Sequence, residues 1–270
     1  MEEPFELSAA LAAVTHDVSH DLVRVVDRRA WSALPADLRR TYRAGVLACA
    51  LGAPGPSELT LELARDPPVP GLASSHVILE PDGAGAWPDR LLLGGFEHEP
   101  DLPPARGWAE RLLGLLACAG HDQIPAALPR VLDDMPADVW LARAGSLRPR
   151  AIDAVRLVLS VPADRASGEL ARIDWPGDPA LVRRLIRRAG LDAGRAHLAI
   201  DAGAAVGPLA SLALLPEHGH DARAVLRRLA PSAAAEGWDG AVDGMRRRLG
   251  AELSFDVAGH AGTRALLAFS

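Results

Sequence analysis

The chain has 270 residues, 49% of them hydrophobic, with 29 basic against 35 acidic side chains and a formal net charge of −6. That is enough chain and enough apolar material for one large core or two small ones. The acidic balance argues against a general nucleic-acid binder. The longest apolar runs, such as "LLGLLACAG" at 112–120, fall short of the ~18 residues that a membrane span requires.

The first residues, "MEEPFELS", are acidic and lack the basic region of a secretory signal, so a cytoplasmic protein is expected. Every basic side chain is arginine, because the sequence contains no lysine. Arg183, Arg184, Arg187 and Arg188, and Arg246, Arg247 and Arg248, are read as solvated helix faces. Cys49 and Cys118 sit in Ala- and Leu-rich segments that read as helices, which makes them buried thiols and not a disulfide framework.

In chain order, Leu7, Leu11, Val14, Val18, Leu22 and Val25 form a stripe at helical spacing over 6–31. A second helix is predicted over 36–51, stopping at Gly52 and Pro54. The period then becomes two. "SELTLELAR" alternates Leu59, Leu61 and Leu63 with Glu58, Thr60 and Glu62, and "SSHVILEP" and "DRLLLGG" follow as further strands. Helices are predicted over 105–119 and 123–134, the second weakened by Pro129, before the strands "DVWLARAG" and "AIDAVRLVLSV". The third round places helices over 164–173 and 179–189. They are joined by a turn with Trp175 packing at the corner, Gly177 relieving the backbone, Asp178 as N-cap and Pro179 in the first turn. "RAHLAIDAG" and "GPLASLALLP" are its strands. Helices over 221–229 and 238–249 and the strands "AELSFDVAG" and "GTRALLAFS" close the chain.

The pattern is helix-helix-strand-strand four times over. Strand pairs joined by short turns are antiparallel, and helix pairs returning between them cover one face of a shared sheet. The expected fold is therefore mixed α/β (α+β): repeated helix-helix-strand-strand units building an antiparallel β-barrel surrounded by α-helices, as a single domain over 1–270. Two other arrangements satisfy the same order: two small α+β domains dividing at 146–149, and a ferredoxin-like tandem.

If the leucine-rich parity packs under the helices, the opposite parity lines the lumen. It contributes Glu58, Thr60, Glu62, His76, Glu80, Trp140, Arg156, Ser160, His197, Asp201, Ser211, Glu252, Ser254, Asp256 and Arg264. Arg90 and Arg143 are left without an assigned face.

Four such units ending on a strand resemble the ABBA-type prenyltransferase barrel of aromatic and peptide prenyltransferases. The resemblance lies in element order over nearly the whole chain and not in a motif. It implies a prenyltransferase-like protein of natural-product biosynthesis, whose lumen takes an allylic diphosphate and an aromatic or peptide acceptor. Fixed cations and π-faces would stabilise the pyrophosphate and the carbocation while water is excluded. Carried onto this sequence, Glu62 orients the acceptor as the catalytic carboxylate and Arg156 and Arg264 contact the diphosphate. Trp140, His197, Asp201, Glu58 and His76 complete the substrate-binding set. Since carboxylates in this lumen are at least as numerous as arginines, Mg²⁺ bridging the diphosphate to Glu or Asp is the cofactor the resemblance allows. The same charge balance motivates the alternative, a non-catalytic barrel that binds a peptide or protein partner.

Other constellations carry less. His16 and His20 stand at i,i+4 but lack the glutamate and third ligand of a zinc site, and His218 and His220 read as a loop before a helix. No resident metal site is expected. "PDGAGAWP" lacks the lysine of a phosphate loop, and no Gly-x-Ser-x-Gly elbow surrounds any serine.

Overall fold

The computed structural model describes residues 42–50, 56–63, 74–80, 89–95, 107–118, 121, 123–148, 151–191, 194–214, 221–229, 249–259 and 261–269, the strands before residue 107 by backbone course and register. Strands β1 (Tyr42–Ala50), β2 (Pro56–Leu63), β3 (Ser74–Glu80) and β4 (Asp89–Gly95) come first. Helices α1 (Gly107–Cys118) and α2 (Ala127–Leu132) precede β5 (Trp140–Ser146) and β6 (Val155–Pro162). After a short 3₁₀ turn come α3 (Ala166–Arg172), α4 (Pro179–Ala189), β7 (Arg195–Ala202) and β8 (Val206–Leu214). Helix α5 (Ala222–Leu229), β9 (Leu249–Phe255) and β10 (Ala261–Phe269) follow.

Each strand pairs antiparallel with its neighbours in the chain, and β1 pairs with both β2 and β10, so the ten strands form a closed barrel. Closure leaves no edge strand with unpaired backbone groups. The possible division at 146–149 falls inside the β5–β6 hairpin, whose strands pair from Trp140↔Ser160 to Ser146↔Val155. Among the described residues no helix is long and apolar enough to cross a membrane.

The strands predicted from "SELTLELAR" onward recur with shifts of a few residues at their ends. The helix predicted over 36–51 is corrected. Residues 42–50 are β1, and 36–41 and 51 lie outside the described residues. "YRAGVLACA" is rich in alanine, which favours a helix by propensity, but it occupies the position between β2 and β10 where ladder pairing decides. Cys49 is therefore a strand residue, while Cys118 ends α1. Among the described residues the first round consequently has four strands. Leu249, predicted as a helix end, begins β9; the rest of that helix and the helix over 6–31 lie outside the described residues. Pro129 does not break α2, because it stands in the first turn, where no intrahelical N–H is required.

One face of the barrel wall carries the core. Leu157, Leu159 and Val161 of β6, Leu198 and Ile200 of β7, Leu212 and Leu214 of β8, and Leu253 and Phe255 of β9 are buried. They share one apolar cluster with Leu112 and Leu116 of α1, Val131 of α2, Leu170 of α3, Val182 and Ile186 of α4, and Val225 of α5. Full burial of each such side chain stabilises the fold by roughly 1.5–3 kcal/mol. The helices are thus packed on the leucine parity, as the alternation predicted.

The α3–α4 corner has Trp175 buried and Asp178 capping α4, its carboxylate accepting from Ala180 N at 2.8 Å. The part expected of Gly177 is corrected. The left-handed residue is Asp174, with φ 54°. A Cβ on Gly177 would instead run into the Trp175 indole, so glycine is required there by packing.

Candidate active site

The face opposite the core is best seen in β7, whose burial alternates strictly: Ala196, Leu198, Ile200 and Ala202 are buried, while Arg195, His197, Ala199 and Asp201 are half-buried. Directly paired residues on antiparallel strands share a face, so the register carries this face around the barrel. One line of partners runs Glu62↔His76↔Leu93↔Gly145↔Arg156↔Asp201 across β2 to β7. A second runs Trp140↔Ser160↔His197↔Ala213↔Glu252↔Arg264 across β5 to β10. Glu58 pairs with Ala48, which pairs in turn with Leu266. The expected site residues Glu62, His76, Arg156 and Asp201 therefore fall on one line, and Trp140, His197 and Arg264 on the other.

The register also assigns the two undecided arginines. An irregularity between Leu141 and Arg143 moves Arg143 into register with Val158, on the face of Arg156 and Ser160. Arg90 pairs with Leu79, which pairs with Leu59, and so falls on the leucine parity.

Two arginines on this face meet carboxylates on the next strand. Arg156 Nε and Nη2 donate to the two oxygens of Asp201 at 2.8 and 3.1 Å, a fork-to-fork pair with both side chains about one-fifth exposed (20% and 19%). Arg264 Nη2 lies 2.6 Å from Glu252 Oε2, and Glu252 is buried. A guanidinium has about five N–H donors, so one carboxylate engages only part of it.

Arg195 went unnoticed in the sequence. Its guanidinium carbon stands 3.6 Å from the centre of the Trp140 ring. Its Nε donates to Ser160 Oγ at 3.0 Å, and its Nη2 donates to the carbonyls of Asp138 and Ser160, both at 2.8 Å. Burial lowers its pKa, with the Asp138 charge opposing the shift, although an arginine remains protonated at neutral pH. The signal that could have found it was available: Arg195 has the same parity as His197 and Asp201 and stands one step before the stretch where the inward residues were counted.

For Mg²⁺, which asks for several oxygen ligands in octahedral geometry, the described carboxylates on this face fit poorly. Asp201 and Glu252 are each turned to an arginine, and no group of three His, Cys, Asp or Glu side chains converges among the described residues. Glu58, Glu62 and His76 are placed by register alone. The pairs His16 and His20, and His218 and His220, lie outside the described residues.

Comparison with known proteins locates this barrel. No family model matches the chain, and no curated protein does. Among solved structures it is similar to 5-dimethylallyltryptophan synthase from Streptomyces coelicolor, with a TM-score of 0.51 and 14% identity over 96% of this chain and 94% of that one. It is likewise similar to the apo form of the prenyltransferase PriB, with a TM-score of 0.50 and 15% identity over 98% of this chain and 92% of that one. The chain thus has the fold of these prenyltransferases across nearly its full length.

Proposed function

We propose that this barrel, which has the fold of aromatic prenyltransferases, transfers an isoprenoid from an allylic diphosphate to an aromatic or peptide acceptor in natural-product biosynthesis. The observation that carries the proposal is the inward parity of the strands, where Arg156, Arg195 and Arg264 share a face with Trp140 and His197. Ionising an allylic diphosphate separates a pyrophosphate anion from a carbocation, and both need fixed partners in a space that excludes water. In this reading the three arginines hold the diphosphate. Trp140, stacked on Arg195, is the aromatic side chain that this reading assigns to the cation. Glu62, in the register of Arg156 and Asp201, orients the acceptor. His197, Asp201, Glu58 and His76 contact the substrates. Any Mg²⁺ would enter already bound to the diphosphate, because Asp201 and Glu252 are turned to arginines.

The trial is incubation with C5 and C10 allylic diphosphates against tryptophan, other aromatic acceptors and a peptide panel, with and without Mg²⁺, read by mass spectrometry. A mass gain of one prenyl group supports transfer. Failure to bind any allylic diphosphate by calorimetry retires it.

A second reading has its own observation: the Arg156–Asp201 and Arg264–Glu252 pairs already neutralise two of the four arginines described on this face. A barrel satisfied in this way fits a non-catalytic protein that binds a peptide or another partner. Peptide binding without diphosphate binding would select it.

A further inference from the structure

Prenyl transfer to an aromatic carbon leaves a proton to be removed, and the roles assigned so far do not take it. As the allylic C–O bond breaks, its electron pair departs with pyrophosphate. The acceptor ring gives a π pair to the new C–C bond and carries the positive charge. Aromaticity returns only when the C–H pair falls back into the ring and the proton passes to a base. That base must face the lumen beside the cation and be unprotonated at the working pH. Among the described inward side chains the arginines stay protonated. Asp201 has both oxygens engaged by Arg156 at 2.8 and 3.1 Å, and Glu252 Oε2 lies 2.6 Å from Arg264 Nη2. Asp256 stands past the end of β9.

His197 is different in kind. An imidazole gains and loses its proton near neutral pH, and one ring nitrogen of the neutral form is an acceptor. Its place in the wall suits the task. β7 turns it inward and half-buried, between Ala196 and Leu198, which are sealed in the core. Its register partner on β6 is Ser160, whose partner on β5 is Trp140. Arg195, roughly 7 Å earlier along the same face of β7, stacks on Trp140 and donates to Ser160 Oγ at 3.0 Å. On the other side the partner is Ala213, a small residue that separates His197 from Glu252 along the line. His197 therefore stands beside both the aromatic group assigned to the cation and the guanidinium assigned to the diphosphate. The charged groups around it on this face are Arg195 and Asp201 on its own strand, Arg143 and Arg156 from β5 and β6, and Glu252 from β9. Glu62 and His76 belong to the other line of partners, and Glu62 is already given to the acceptor.

We infer that His197 is the catalytic base of the transfer: its neutral imidazole takes the proton from the prenylated ring and passes it to the pyrophosphate held at Arg195. The inference rests on the transfer reaction proposed above and gives His197 a role beyond substrate contact. The test uses the full-length protein with the C5 allylic diphosphate and tryptophan, and ring-deuterated tryptophan in parallel. In His197→Ala and His197→Gln, kcat is expected to fall about 100-fold, while the Kd of the C5 diphosphate by calorimetry stays within about twofold. Ring deuteration should slow both variants more than the parent, because loss of the proton has become the slow step. The parent's rate should fall as acid protonates the imidazole, and that limb should vanish in both variants. Free imidazole should restore His197→Ala. Transfer by both variants at the parent's rate, or slow variants with no added isotope effect and no rescue by imidazole, overturns the inference and leaves the transfer reading standing. A parent that binds the diphosphate but leaves tryptophan unmodified overturns it as well. Failure of the transfer reading is separate, and shows as failure to bind the diphosphate at all.

Discussion

The pair Arg156–Asp201 gives the most direct handle on the barrel interior, because it separates stability from ligand binding. The two residues are direct partners across β6 and β7 and share two hydrogen bonds of 2.8 and 3.1 Å with side chains about one-fifth exposed. Charge-assisted hydrogen bonds in such a setting contribute roughly 1.5–3 kcal/mol, so Arg156→Ala and Asp201→Ala are each expected to cost about 2 kcal/mol. In a chain of this size that amounts to a drop of roughly 4–8 °C in Tm. Ligand binding should split the two partners. If Arg156 meets diphosphate, Asp201 stands as a unit negative charge close to the same anion. At about 5 Å and an effective dielectric near 20 that repulsion is worth ~3 kcal/mol before screening, and even a third of it is about fivefold in Kd. Asp201→Asn is therefore expected to lower stability and to tighten binding of an allylic diphosphate at least about fivefold, whereas Arg156→Ala weakens it. Urea melts and calorimetric titration of the same preparations supply both numbers. If Asp201→Asn weakens diphosphate binding along with stability, the pair is structural and the assignment of Arg156 fails.

Three further outcomes follow from the packing. Arg172→Ala is expected to cost about 3 kcal/mol in a urea melt, because it strands the buried Glu169 and removes the donors to the Arg130 and Val131 carbonyls near the end of α2; a loss under about 1 kcal/mol would contradict the contact. Gly190→Ala places a side chain at φ 69°, where the Cβ also meets the Arg228 guanidinium, and should lower stability by about 1–2 kcal/mol; an unchanged Tm would refute the cap. Arg195→Met removes a desolvated charge and is expected to reduce diphosphate affinity roughly tenfold while changing stability little. The sign of its pH dependence is fixed, since a base whose folded pKa is lowered binds fewer protons folded than unfolded. Its contribution therefore rises with pH only in the strongly alkaline range, and the difference between Arg195→Met and the parent should be flat from neutral to mildly alkaline pH. A slope there would rule out Arg195 as the sole origin of the difference.

What was legible in the sequence was legible because it repeats with a period. Leu59, Leu61 and Leu63, or Leu198 and Ile200 against His197 and Asp201, announce strands with two unlike faces, and the order of such strands between helical stripes was enough for the barrel. Strand β1 was misread for the same reason, because "YRAGVLACA" has no polar face to mark a period of two and its alanines favour a helix. Gly45 in the middle of that run lowers its helix propensity and is the one local signal against a helix. Parity put Arg156, His197 and Asp201 on one face but could not place Arg143, whose face depends on an irregularity that sequence spacing does not reveal. Nor could it foresee that the inward arginines meet inward carboxylates, since that depends on register between strands distant in the chain, 45 residues apart for Arg156 and Asp201.

That pairing bears on how a diphosphate could enter. A lumen of arginines without counter-ions would pull in any polyanion, whereas arginines held by Asp201 and Glu252 are pre-positioned and partly screened. A ligand must then compete with a carboxylate on the adjacent strand, so it gains affinity only where its geometry exceeds what the resident carboxylate offers. A diphosphate can do so by spanning two guanidinium groups at once, while a single carboxylate or chloride cannot. Arg195 differs in its setting. Burial has already desolvated it, its contacts include the Trp140 face, the Ser160 hydroxyl and two carbonyls that fix its orientation, and the Asp138 charge also acts on it. An incoming anion next to it would gain from a guanidinium already desolvated and aligned, which makes Arg195 the first place to look for bound diphosphate and Arg156 the second. Calorimetry with inorganic pyrophosphate on the Arg195→Met and Arg156→Ala variants orders them. The larger loss should fall on Arg195, and the reverse order would mean that displacement of Asp201, and not preformed desolvation, governs entry.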